Sequence, residues 1–429
     1  MQRCNQWMIG ILIVAGLHGI SCGQKSGAAD KATAAPVIES STVQDEEIAA
    51  GYIRAPYLQA LAKDSTVIVW IASDRSQPAV DYGETLEYGQ TIPARIDKDR
   101  QVATLQNLKP GTRYYYRIRA GNRILAEGRQ YTFQTDAGIA DQQFSFFVTA
   151  DVGDKRLRQK YAADAILKAN PRPELGILCG DIVYNRGHSS HYDERLMRPW
   201  KDLFCTIPVW PALGNHDWRS SPAENWEREW YLPNNEHYYS FDYGNAHFIA
   251  LDTRDGDIYN RVNQVRWLEQ DLAANVNKDW IFVYYHHPGI TCTYKGDNDA
   301  VIEHFLPVFD RYKVDVVFNG HAHTYERLYP IYKGSVVNKE QDPYYTDPQG
   351  TIYIVTGAGG KYKENRPTKL CGPTAFYRDE TLLWTQVFID GLTCTIRTWE
   401  SVSGDFVDEV EISKTSLAVN TPRRCDISL

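Results

Sequence analysis

The sequence predicts a small all-β sandwich over residues 51–136 followed by an α/β domain over residues 141–415. Three observations predict it: the length, a front segment of short alternating apolar runs, and a later segment in which strand-like and helix-like stretches alternate. At 429 residues the chain exceeds what one hydrophobic core ordinarily serves, so two domains are expected. Its composition, 43% hydrophobic, 12% aromatic and 23% charged, suits a large core and excludes disorder for most of the length. The formal net charge of -8 argues against a nucleic-acid partner held by phosphate neutralisation.

Residues 1–22 read as an export signal. Arg3 precedes an apolar run from Ile9 to Leu17, which ends in Gly19-Ile20-Ser21-Cys22. The run is shorter than the roughly 20 residues that a membrane span requires. A small residue before a cysteine resembles a bacterial lipoprotein signal, in which Cys22 would be lipidated. Gly19 stands where such signals usually carry Leu, which keeps simple cleavage as the alternative. The expectation is an exported protein, periplasmic or at the cell surface, held to a membrane through Cys22. Residues 23–50, rich in Ala, Ser, Thr, Lys and Asp without periodicity, read as a flexible tether. Outside the signal lie Cys179, Cys205, Cys292, Cys371, Cys394 and Cys425. An oxidising destination permits disulfides among them without dictating the pairing, and Cys179 reads as a buried strand thiol.

In the front segment, Val67-Ile68-Val69-Trp70 and Tyr114-Tyr115-Tyr116-Arg117-Ile118 are separated by turn residues such as Lys109-Pro110-Gly111 and Gly121-Asn122. The phrase Leu108-Lys109-Pro110-Gly111-Thr112, followed by a Tyr-rich strand, resembles the fibronectin type III pattern. After Asp141, strands are expected at Phe144–Thr149, Leu175–Cys179, Ile207–Leu213, Ala246–Leu251, Trp280–Tyr285, Val314–Phe318 and Thr351–Val355. Helices are expected at Leu157–Lys168, Gln264–Ala273 and Ala300–Tyr312, and further strands at Leu382–Phe388 and Cys394–Trp399. In such a fold the loops at strand ends carry the site.

Five of those strands end in polar phrases: Asp151-Val152-Gly153, Gly180-Asp181-Ile182-Val183-Tyr184, Gly214-Asn215-His216-Asp217, His286-His287-Pro288 and Gly320-His321-Ala322-His323. Each alone is ordinary, since a Gly-Asp is usually a turn and a His pair is usually solvated. Together, in order and all at strand ends, they assemble carboxylate, amide, imidazole and phenol in one cleft. Phosphate-ester hydrolysis needs such a set. Charge develops on the attacking, leaving and phosphoryl oxygens, and two cations about 3.5–4 Å apart stabilise it and activate a water. Imidazoles suit zinc and iron, whereas a phenolate among carboxylates suits ferric iron.

These ordered phrases resemble the calcineurin-like metallophosphoesterases and, within them, the purple acid phosphatases. The broader family carries His where this chain has Gly153, and Asp where it has Tyr184; the paired change marks the purple branch, in which tyrosinate binds ferric iron. The resemblance implies a four-layer α/β domain, two mixed sheets flanked by helices, behind a fibronectin type III-like sandwich. It implies that Asp151, Asp181, Tyr184 and His323 hold Fe(III). Asp181 would bridge to a divalent ion (Zn, Fe or Mn) also held by Asn215, His286 and His321. His216 would contact phosphate and protonate the leaving group, with Asp217 orienting it. His286 is preferred to His287 as ligand, because it lies three residues after Val283. His287 is left to a supporting or solvated role. The likeness extends over Thr324-Tyr325-Glu326-Arg327 and Gly357-Ala358-Gly359-Gly360. One departure stands out. Plant members carry a second His pair where this chain reads Tyr294-Lys295-Gly296-Asp297, which makes Lys295 a candidate substrate contact beside Asn215 and His216.

The expected function is metal-dependent hydrolysis of a small phosphate monoester. A phosphodiesterase or phospholipase of the same fold is the alternative within enzymes, since ligands are shared and selectivity lies in loops such as 185–200 and 290–300. A surface-anchored binding protein with an inactive catalytic domain is the alternative outside them. The Gly357–Gly360 stretch lacks the Lys-Ser/Thr of a P-loop and reads as a close backbone passage near the metals.

Overall fold

The computed structural model describes residues 51–140, 142–219, 222–254, 258–362 and 371–415. Cys22, the tether and Cys425 lie outside the described residues. The front region is a two-sheet antiparallel structure. Its strands are β1 (Arg54–Gln59), β2 (Thr66–Ile71), β3 (Pro78–Gly83), β4 (Gln90–Pro93), β5 (Arg95–Asp97), β6 (Arg100–Leu105), β7 (Arg113–Ala120), β8 (Arg123–Ala126) and β9 (Thr132–Gln134). One sheet runs β1-β2-β6-β5 and the other β4-β3-β7-β8, with β9 also on β7. The period-2 rule is visible in β7, where Tyr114, Tyr116, Ile118 and Ala120 are buried between less buried neighbours. Trp70 and Tyr116 are fully buried in the core, and the Tyr116 hydroxyl donates to Cys205 O at 2.8 Å, joining the sandwich to the α/β region. On β1, Arg54 is buried against Glu229 and Asp193, and Gln59 Nε2 donates to Glu229 O at 3.2 Å.

The α/β region holds two seven-stranded mixed sheets. Its strands are β10 (Gln143–Thr149), β11 (Leu175–Cys179), β12 (Val209–Ala212), β13 (Tyr239–Tyr243), β14 (Ala246–Ala250), β15 (Trp280–Tyr284), β16 (Val316–Asn319) and β17 (Tyr325–Leu328). A small hairpin, β18 (Ile331–Tyr332) and β19 (Ser335–Val336), precedes β20 (Tyr344–Thr346), β21 (Ile352–Thr356), β22 (Thr374–Arg378), β23 (Leu383–Asp390), β24 (Thr393–Glu400) and β25 (Phe406–Ser413). The first sheet runs β12-β11-β10-β23-β24-β25-β20 and the second β13-β14-β15-β16-β21-β17-β22. Strands β10, β11 and β12 are parallel, as are β14, β15, β16 and β21. An aromatic layer joins the sheets. Phe146 of β10 meets Phe248 of β14 and Phe282 of β15 with ring centroids 5.0 and 5.1 Å apart. Helix Ile258–Ala274 and the helices at 299–312 cover the other face of the second sheet through Leu268, Leu272, Phe305 and Phe309. Trp200 covers Phe147 on the first. The result is helix, sheet, sheet, helix.

Two expected helices come out differently. Ala300–Tyr312 is broken into Asp299–His304 and Leu306–Tyr312, because Pro307 has no N–H to continue the first helix and fits the opening turn of the second. The helix expected from Leu157 begins at Gln159, and Leu157 itself has φ +57°, outside the helical region. The C-terminal strands join the first sheet: β23 pairs with β10, β24 with β23 and β25 with β24. Cys292 and Cys371 form a disulfide, and Cys179, Cys205 and Cys394 are buried free thiols.

Candidate metal centre

The parallel strands of both sheets end on one side of the molecule, so their loops converge. Asp151 follows β10, Asp181 follows β11, Asn215 follows β12, His286 follows β15, and His321 and His323 follow β16. Three of these turns are strained: Asp151, Asp181 and His321 hold φ of +58°, +51° and +69°, a region L-residues occupy at a cost when surrounding structure fixes them there. The fixing contacts are visible. Asp151 Oδ2 accepts from His321 N, and Asp181 Oδ1 from His216 N, each at 2.8 Å.

Two overlapping groups result. In the first, the Tyr184 hydroxyl donates to Asp151 Oδ1 at 2.5 Å and lies 3.2 Å from His323 Nε2, itself 3.4 Å from Asp151 Oδ1. In the second, His286 Nε2 lies 3.3 Å from Asp181 Oδ1. The donor atoms of His286, His287 and His321 fall within 4.8 Å of one another, as do those of Asp151, Asp181 and His286. His286 thus belongs to both sets and Asp181 sits between them. His286 Nδ1 donates to Cys179 O at 2.9 Å, which leaves the Nε2 lone pair facing the carboxylates.

Protein groups alone perturb one another strongly here. Burial, with Asp151 and Asp181, pushes the Tyr184 phenol well above its usual range. Burial opposes protonation of His286, yet Asp181 raises it to about 9. Burial and then His286 lower His287 to about 3 and His321 further still. The donor set fits cations. Asn215 Oδ1 is buried without a hydrogen-bond partner among the described residues, which is costly unless something accepts its lone pair, and His286 Nε2 faces only the Asp181 carboxylate, at 3.3 Å. Oxygen donors dominate around Tyr184, and nitrogen donors around His286 and His321.

His216 stands beside this cluster, its Nδ1 2.5 Å from Asn185 O and its Nε2 3.9 Å from Asp181 Oδ2. Asp217 was expected to orient it and does not. Its carboxylate faces the other way, accepting from Ile182 N, Val183 N and Gly214 N at 2.8, 3.0 and 2.9 Å, so it clamps the second and third loops together. His287 is buried rather than solvated, with Nδ1 3.1 Å from the Thr253 hydroxyl. Lys295 lies exposed at the rim, close enough that its charge disfavours protonation of His287 and His321. Sequence reasoning missed Lys361, whose ammonium stands over the Tyr184 ring, and Arg195, which donates to Tyr184 O. Lys361 follows the glycine stretch that reads only as a close backbone passage, and no motif surrounds Arg195.

Residues 144–325 match the family model Calcineurin-like phosphoesterase, so the chain carries a calcineurin-like metallophosphoesterase domain, homologous to the purple acid phosphatases. Among curated relatives, Acid phosphatase type 7 of Homo sapiens is 30% identical over 297 residues, covering 60% of this chain and 63% of that protein. Purple acid phosphatase 21 of Arabidopsis thaliana is 30% identical over 269 residues, covering 59% and 56%. The matches therefore span less than two thirds of these relatives. Another Arabidopsis thaliana relative, 27% identical and covering 60% of this chain and 48% of that protein, bears the name Probable inactive purple acid phosphatase 1. Purple acid phosphatase PPD1 from yellow lupin (Lupinus luteus) seeds superposes with a TM-score of 0.72 over 88% of this chain and 78% of that one, at 20% identity, and so shares the fold.

Proposed function

We propose that this protein hydrolyses phosphate monoesters at a two-metal centre. Fe(III) would be held by Asp151, Asp181, Tyr184 and His323, and a divalent zinc, iron or manganese ion by Asp181, Asn215, His286 and His321. The observation that carries this reading is the convergence of seven donors from five loops, with the buried Asn215 Oδ1 left without a hydrogen-bond partner among the described residues. Bound cations would supply charge for the phosphoryl oxygens and an acidified water.

The chain's own residues supply the rest. His286 is pinned through Cys179 O, and Asp217 holds the loops of Asp181 and Asn215 at fixed separation. His216 donates its Nδ1 proton to Asn185 O, so its Nε2 faces the cluster; protonated there, it gives that proton to the departing oxygen. Asn215 and His216 line the place where the phosphoryl group sits, and Lys295 adds positive charge at the rim.

Kinetics on p-nitrophenyl phosphate against bis(p-nitrophenyl) phosphate test the reading, with metal-replete and chelator-treated protein compared. Metal-dependent preference for the monoester supports it. Preference for the diester replaces it with a phosphodiesterase, and inactivity towards both with full metal occupancy leaves a binding scaffold. Export and anchoring at Cys22 are proposed from sequence alone; mass spectrometry of the mature amino terminus decides between acylated and plain ends.

A further inference from the structure

Strand β21 runs into Gly357-Ala358-Gly359-Gly360-Lys361 beside the metal cluster. Gly359 N donates to Ala150 O at 3.1 Å, and a Cβ on Gly360 would lie 2.1 Å from Val152 O. The loop therefore presses against the backbone that carries Asp151, and only a residue without a side chain permits that approach. The next residue is delivered over the site. Lys361 Nζ lies 3.1 Å from the centre of the Tyr184 ring, whose other ring neighbours include His216 at 4.6 Å between centroids.

The Lys361 side chain is only 22% exposed, and Asp154 Oδ2 lies 3.7 Å from its ammonium. Among the described residues it makes no hydrogen bond. Lysine carries three N–H donors, and a largely desolvated charge with its donors unused is unfavourable until an anion arrives. The charges of Asp151 and Asp181 act on it, and its own acts on His216, which places it within the field of the reacting centre. Asp154 accepts from Arg156 N through Oδ1 at 2.9 Å, and its Oδ2, at 3.7 Å, is beyond hydrogen-bond distance of the ammonium.

We propose that Lys361 binds a terminal phosphoryl oxygen of the substrate and so selects phosphomonoesters over diesters. The proposal rests on the phosphoesterase reading above. A monoester carries close to two negative charges near pH 7, spread over three terminal oxygens. A diester carries one, over two, and offers the ammonium less. The charge of Lys295 acts on His287 and His321, whereas that of Lys361 acts on His216.

The test uses metal-replete protein, with inorganic phosphate as the calorimetric probe and the two p-nitrophenyl esters as substrates. A charge-assisted hydrogen bond is lost in Lys361→Met, so phosphate binding should weaken by about tenfold to hundredfold. Monoester kcat/KM should fall in parallel while diester kcat/KM changes little, and Lys361→Arg should keep most of both. Lys361→Gln serves as a milder second variant, and metal content and circular dichroism confirm that each variant is loaded and folded. Unaltered phosphate affinity in Lys361→Met overturns the proposal, as does an equal fall for both esters. A parent protein that holds its metals yet binds no phosphate overturns the phosphoesterase reading and the lysine's role with it.

Discussion

Gly180→Ala should disable the centre through a single methyl group. Gly180 has φ +84°, and a Cβ there would lie 2.6 Å from His286 Nδ1 and 2.8 Å from its Cβ and Cγ. Ordinary contact begins at 3.4 Å, so the ring must retreat by about 0.8 Å. It has little freedom to do so, being fully buried and tied at Nδ1 to Cys179 O, so Nε2 is dragged away from Asp181. A misplacement of about 1 Å in a catalytic arrangement costs on the order of 10²-fold in rate. The backbone adds roughly 1–2 kcal/mol of strain for a left-handed alanine. Gly404→Ala separates the two effects, since Gly404 has φ +78° and nothing within 4 Å of its Cβ position. Parent and both variants are compared for kcat/KM on p-nitrophenyl phosphate, metal content by mass spectrometry, and thermal unfolding. Gly180→Ala should lose more stability than Gly404→Ala, because the clash adds to the shared strain, and only Gly180→Ala should lose metal and activity. Parental activity and metal content in Gly180→Ala would refute the reasoning, as would an equal loss in Gly404→Ala.

Other consequences are as direct. Arg54→Met leaves Glu229, 1% exposed, without its close buried partner and with only Arg228 Nε at 3.7 Å, which costs about 3–5 kcal/mol. Adding Glu229→Gln should recover most of that in a denaturant double-mutant cycle, and failure to recover it counts against the buried pair. His247 lies between Asp242 Oδ1 at 2.7 Å and Asp271 Oδ2 at 2.8 Å, with Lys278 also on Asp242. Burial disfavours its charge, but the two carboxylates raise its pKa above the ordinary value. Its stabilisation is therefore complete below about pH 6.5 and disappears as pH rises through the folded-state value. His247→Gln should lower Tm more at pH 6 than at pH 9, and equal losses would contradict this. Tyr184→Phe should abolish a broad visible absorption band that accompanies bound iron in the parent; a band surviving in the variant removes the tyrosinate assignment.

The strands and their terminal phrases were legible because β-branched and aromatic runs switch abruptly to Gly, Asp, Asn and His, and that switch is local. Partition of the strands was not. Phe146, Phe248 and Phe282 fall alike in expected strands, yet the first lies in one sheet and the others in the next, a choice made by packing across the aromatic layer. Asp217 shows the limit for roles. Its place next to His216 suggested a partner for that ring, but the turn aims the carboxylate at Ile182, Val183 and Gly214. Lys361 was invisible for the same reason: the preceding glycines were read for close passage, and nothing in the sequence says what the next side chain reaches.

The central claim is that the Asp181 cluster holds two cations which hydrolyse phosphate monoesters. Its most direct test is metal content and p-nitrophenyl phosphate turnover measured on the same preparations of parent and Asp181→Asn. The account predicts an active parent carrying two metal ions per chain, and a folded variant with depleted metal and abolished turnover. A parent with both metals and no turnover, or an Asp181→Asn protein that keeps its activity, would contradict it.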